Sequence, residues 1–129
     1  MSSAVISGDV ANGLVELEGA FPGRVSHEPD GSGGAYVTVD AIGLSERWTR
    51  LQAPLTFHLA YNYPACAIYP FYLPDDVMPA SGQLPQALQP VQWRERSVIQ
   101  VSLRHTNWDP RRDNAVGAVM QTQDWLQQQ

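Results

Sequence analysis

Ser102 and His105 stand three residues apart toward the C-terminal end of the chain. A serine hydroxyl is a weak nucleophile until a neighbouring base takes its proton, and histidine, which titrates near neutrality, is suited to that task. Ser102 lies in Ile99-Gln100-Val101-Ser102-Leu103. If Leu103 ends a strand and the chain turns, hydroxyl and imidazole could converge. The alternative is a solvated strand serine in a domain without catalysis. Asn107 has the kind of side chain that can hold an oxyanion, or it is simply a turn residue before a helix.

Cys66 is the rival nucleophile. A reactive thiol wants an electropositive, partly exposed setting. Its neighbours are Ala65, Ala67, Ile68 and tyrosines, with no base close in sequence. A buried cysteine acting as a small hydrophobe is the expectation. His27 and His58 lack metal-ligand spacing with each other or with Cys66, so neither a metal site nor a cofactor is expected. Gly31-Ser32-Gly33-Gly34 has no following Gly-Lys-Ser/Thr and reads as a hairpin turn. Trp93-Arg94-Glu95-Arg96 sets a tryptophan beside two arginines. That pairing suits an interface hot spot or the edge of a core covered by arginine stems, and both remain open. Trp48 and Trp125 are assigned to packing.

Positioning these residues requires a small α+β scaffold. Asp9 is the expected cap of a short helix with Val10, Leu14 and Leu17 at helical spacing, weakened by Gly13. Val25 to Glu28 and Tyr36 to Ile42 read as two strands around a loop of turn formers. Leu55, Phe57 and Leu59 alternate with Thr56, His58 and Ala60, as in a strand with one buried face. Three prolines between Tyr61 and Pro74 restrict any strand there to a short or edge one. Asp75 to Pro90 reads as a long connection, of the kind that is often functional. Val98 to Leu103 alternates again, placing Ile99, Val101 and Leu103 on one face and Gln100 and Ser102 on the other. Asp109 with Pro110 reads as a helix start, followed by an apolar stripe of Val116, Val119, Met120 and Leu126. The sum is a four-stranded antiparallel meander flanked by an N-terminal and a C-terminal helix.

Composition bounds the function. The 129 residues correspond to one domain, 1–129, and 43% hydrophobic with 16% charged residues is ordinary for a globular chain. No apolar run approaches the roughly 20 residues that span a bilayer, and the first nine residues lack a secretory signal, so a soluble cytoplasmic protein with no membrane partner is expected. One cysteine excludes an intrachain disulfide. A net charge of −5 argues against nucleic acid as a partner. All eight basic residues are arginine and none is lysine. Arginine-favouring codons account for this, or avoidance of a lysine-modifying activity does.

The order of motifs resembles the ubiquitin-conjugating-enzyme (UBC) superfamily. Tyr63-Pro64 with Tyr69-Pro70-Phe71 is similar to the family's Tyr-Pro and Pro-x-Phe region. Ile99 to Leu103 stands where the family has Ile-Cys-Leu, and Trp108-Asp109-Pro110 matches its Trp-x-Pro. Ser102, His105, Trp108, Pro110 and Asp113 together look like a divergent bacterial branch with Ser-x-x-His before Trp-x-Pro-x-x-Asp. The family's cysteine and its His-Pro-Asn are absent here. The resemblance implies a ubiquitin-like protein and an adenylating (activating) enzyme as partners, encoded beside genes of this kind. It implies a transferase carrying the ubiquitin-like protein as an oxyester on Ser102, with His105 as base. Alternatively it implies an inactive adaptor that docks those partners through aromatics and arginines: Trp93, Arg94, Arg96, Arg104 and Trp108.

Overall fold

The computed structural model describes residues 5–129, so the first four residues of the N-terminal stretch discussed above lie outside it. The described chain is α+β, with α1 (Gly8–Ala20), β1 (Val25–Pro29), β2 (Ala35–Gly43), β3 (Gln52–Leu59), β4 (Phe71–Pro74), β5 (Leu88–Trp93), β6 (Arg96–Val101) and α2 (Ala115–Gln127). The strands form one six-stranded antiparallel sheet, ordered β1-β2-β3-β4-β6-β5, rather than the expected four-stranded meander. The strand expected from Val98 is β6; the further strands are β4, in the stretch where only a short or edge strand was expected, and β5, which begins inside the stretch read as a loop ending at Pro90 and forms a hairpin with β6. Pro90 is tolerated because β5 is the edge of the sheet, where a missing N–H leaves no ladder bond unmade. β4 is short, as its prolines predict, but it lies inside the sheet between β3 and β6.

Strict alternation divides the sheet into two faces. Val37, Val39, Leu55, Phe57, Phe71 and Leu73 are buried on one. Tyr36 pairs with His58, and Thr38 with Thr56, on the other, where the two threonine hydroxyls lie 3.0 Å apart. The register slips between Val39 and Ile42, with Ala41 at φ 59°. This bulge returns Ile42 to the core. Arg24 donates from its guanidinium to the Asp40 and Ala41 carbonyls, each at 2.8 Å, and satisfies the disrupted edge.

Both helices contribute to the cluster on the buried face, through Val10 and Leu17 of α1 and Ala115, Ala118, Val119 and Leu126 of α2. Ser7, not Asp9, caps α1: its hydroxyl accepts the Val10 N–H at 3.3 Å and donates to the Tyr61 carbonyl at 2.9 Å. Gly13 has a packing reason, since a Cβ there would meet the Tyr63 ring at 2.9 Å. The Tyr63 hydroxyl in turn accepts the Ala115 N–H at 2.7 Å, joining the start of α2 to α1. Burial pushes the Tyr63 phenol above its ordinary value, opposed by that bond.

The start of α2 also differs from expectation. Asn114 is the cap and accepts the Gly117 N–H at 2.9 Å. Asp109 to Asp113 instead close a separate turn, in which the Asp113 carboxylate accepts the Asp109 N–H at 2.8 Å. Met120 is exposed, and the residues that complete the buried stripe are small: Ala115, Ala118 and Thr122. Trp48 is buried as expected, its indole donating to the Leu126 carbonyl at 2.8 Å. No helix among the described residues is long and apolar enough to cross a membrane.

Candidate functional site

Ser102 follows β6, and its backbone N–H donates to the Ala87 carbonyl at 2.8 Å. Its half-buried hydroxyl accepts from the Gln100 amide at 3.0 Å. Gln100 is in register with Tyr72, so both side chains share the sheet face opposite the core. His105 lies on the other side. Its ring packs 6.2 Å from Phe71, a core residue, and edge-on to Trp108 at 6.3 Å. Its Nε2 is buried without a hydrogen-bond partner. The sheet therefore separates the two groups, and no hydrogen bond joins them among the described residues.

His105 borders a cleft of about 200 Å³ shared with Trp108, Arg112, Asn114 and Gln121. Trp108 is half-buried and anchored, donating from its indole to the Pro64 carbonyl at 2.7 Å. Nearby, the Asp113 carboxyl is held below its ordinary range, chiefly by the Asp109 N–H and then by Arg112. Asn107 adopts φ 59°, the left-handed conformation that asparagine tolerates well, and this fits its reading as a turn residue.

The β5–β6 hairpin assembles a second set of groups. Arg94 and Glu95 form its two-residue turn, both left-handed at φ 52° and 63°. Two-residue hairpin turns of this twist normally call on Asn-Gly. The tip arches over the outer face of the sheet toward β1. Trp93 stacks on Tyr72 of β4 at 4.0 Å and meets Tyr36 of β2 edge-on at 5.8 Å. The Arg94 guanidinium lies 3.8 Å over the Tyr36 ring and bonds Glu28 of β1 at 2.8 Å. Under this arch runs a groove of about 500 Å³, bordered by Tyr36, Thr38, Thr56, Tyr72, Trp93 and Arg96. Such a groove, aromatic-walled with a few polar groups, is a usual form for a binding site.

Comparison with known proteins yields no matching family model, curated protein or solved structure.

The site rests on geometry alone. Of the five residues expected to bind, Trp93, Arg94 and Arg96 meet at the groove. Trp108 is on the core side with His105. Arg104 stands apart, its guanidinium 4.0 Å over the Tyr69 ring. Tyr36 and Tyr72 were not singled out in the sequence. Their parity opposite buried neighbours placed them on the outer face, but nothing local indicates that a hairpin tip lies on them.

A third cluster gathers distant residues. Asp30, in the β1–β2 loop, accepts from the Ser32 and Gly34 N–H groups at 2.7 and 3.0 Å, and its carboxylate lies 2.7 Å from His58 Nε2. The His58 bond holds the Asp30 carboxyl below its ordinary range, burial opposes it, and the two N–H bonds assist. The His58 ring also stacks on Tyr36 at 4.8 Å. Cys66 is exposed, correcting the expectation of a buried hydrophobe, and shares a cavity of about 120 Å³ with His58 and Tyr69. No group of His, Cys, Asp and Glu among the described residues could hold a metal.

Proposed function

We propose that this chain is a UBC-like docking module that holds a ubiquitin-like protein in the groove beneath the β5–β6 hairpin, with Ser102 taking no part as acyl acceptor. The observation that carries the proposal is the convergence of Trp93, Arg94 and Arg96 with Tyr36 and Tyr72 around one groove of about 500 Å³. Tryptophan, tyrosine and arginine are the residues that concentrate binding energy at protein interfaces. The family part of the reading rests on the helix, antiparallel sheet, helix order and on Trp108-Asp109-Pro110. Against catalysis at Ser102 stands its hydroxyl bond to Gln100, on the face away from His105. A serine without a base remains a poor nucleophile.

One observation favours a second reading, in which Ser102 carries an oxyester: His105 Nε2 is buried with no hydrogen-bond partner among the described residues. One experiment separates the two. The protein is incubated with ATP, an adenylating enzyme and its ubiquitin-like protein, and binding and adducts are measured. Docking predicts binding that Trp93→Ala or Arg96→Glu weakens at least about tenfold, the loss expected of an interface hot spot, and that Ser102→Ala leaves alone. An adduct that survives thiol reductant and disappears in Ser102→Ala establishes the transferase instead.

A further inference from the structure

We propose that the groove beneath the β5–β6 hairpin binds a short free peptide, its ammonium end at Asp40 and its carboxylate end at Arg96, with Tyr72 donating to a main-chain carbonyl between them. The inference rests on the reading of this groove as a binding site, but not on a ubiquitin-like protein as its occupant. The strongest demand for a ligand comes from Tyr72. It is 8% exposed, it lines the groove, and its phenol has no hydrogen-bond partner among the described residues. A polar group so covered is ordinarily paired. Burial, and then Tyr69, push the phenol above its ordinary value, so at neutral pH it is an O–H donor in want of an acceptor.

The floor around it suits a main chain. Thr38 is in register with Thr56, and Thr56 with Tyr72, so three hydroxyls form one row across β2, β3 and β4. The two threonine hydroxyls bond to each other at 3.0 Å, which uses one of their protons and leaves the other for a second carbonyl. The charges stand on opposite banks. Asp40 belongs to β2 and Arg96 to β6; both are exposed, and neither forms an ion pair among the described residues. With β3 and β4 between them, the two strands are three inter-strand spacings, about 14 Å, apart. Extended residues span about 3.3 Å each, so a tripeptide and the reach of the two side chains cover that distance.

The charge pattern selects a ligand of both signs. Glu28 and Arg94 neutralise each other, whereas Asp75, just past β4, adds a second unpaired carboxylate to the lining. A plain organic anion would meet Asp40 and Asp75, and a plain cation would meet Arg96. A zwitterion satisfies both banks. The volume of about 500 Å³ lies within the range of small-ligand sites and leaves room for modest side chains beneath Trp93.

The test titrates the protein with the free tripeptide Ala-Leu-Ala, followed by amide NMR shifts and calorimetry. Saturable shifts are expected along the outer face of β2, β3, β4 and β6 and at the Trp93 indole. Acetylating the peptide's amino end or amidating its carboxyl end should each weaken binding about tenfold, as for a lost charge-assisted bond. In Asp40→Asn the acetylation penalty should vanish while the amidation penalty stays, and Arg96→Gln should show the reverse. Tyr72→Phe should weaken the free peptide about fivefold. No saturable shift, equal affinity for free and capped peptides, capping penalties unchanged by the two charge variants, or full affinity in Tyr72→Phe overturns the proposal. Docking of the ubiquitin-like protein is measured separately, and its loss in Trp93→Ala stands whether or not the tripeptide binds.

Discussion

Asp30 makes three bonds with one carboxylate, to Ser32, Gly34 and His58, and each is charge-assisted. Removing it in Asp30→Ala leaves two backbone donors and a ring nitrogen without their acceptor, and should destabilise the fold by about 2–3 kcal/mol in chemical denaturation. The pH dependence has a definite sign. The native carboxyl titrates below its unfolded value of about 3.9, so its contribution is complete above that value and is lost as the pH falls through the lowered native one. Acid unfolding of Asp30→Asn should therefore show a shallower slope below about pH 4 than wild type. Tyr63 acts differently. Its hydroxyl is the acceptor for the Ala115 N–H, and Tyr63→Phe preserves the contact with Gly13 while orphaning that donor. A cost of about 1–2 kcal/mol is expected, read by thermal or urea unfolding. Neither role is visible in the sequence, where Asp30 looks like one turn former among several and Tyr63 like half of a Tyr-Pro pair.

At the level of elements, legibility followed burial. The strands with one buried face, β2 and β3, announce themselves because Val37, Val39, Leu55 and Phe57 alternate with polar residues. The terminal helix was readable from Val119 and Leu126, but its start was not. Asp109-Pro110 carries every local sign of a helix N-terminus, yet the turn it begins closes on Asp113 and stops. β5 was missed for two physical reasons: an edge strand needs no consistent alternation and accepts Pro90, and its turn lacks glycine or asparagine. Left-handed backbone at Glu95 is uncomfortable for a side chain with a Cβ, and asparagine visits it more readily. Glu95→Asn should raise stability by about 0.5–1 kcal/mol, seen as a higher melting temperature. Asn114→Ala should lower it by about 1 kcal/mol through loss of the α2 cap. The Ser102 and His105 pair illustrates the opposite limit: spacing along a chain says nothing about which side of a sheet each group will occupy.

On the scale of the whole molecule, one apolar cluster runs from α1 through the sheet to α2. Phe57 and Phe71, both fully buried with ring centroids 5.3 Å apart, lie within it. Phe57→Ala should cost about 3–5 kcal/mol, against about 5–15 kcal/mol for the stability of an entire domain, and should lower the midpoint of a single cooperative unfolding curve. On the outer face, by contrast, the hairpin tip lies across Tyr36 and Tyr72.

The ion pair between Arg94 and Glu28 spans the sheet from its far hairpin to its first strand, with the two side chains 34% and 59% exposed. Pairs so open to water are weak and are screened by dissolved ions. Ionic strength thus becomes a dial on the roof of the cavity: in concentrated salt the tip loses its ionic fastening and rests on its aromatic contacts, Arg94 over Tyr36 and Trp93 on Tyr72. Whatever enters there should meet a wider doorway in brine than in dilute buffer.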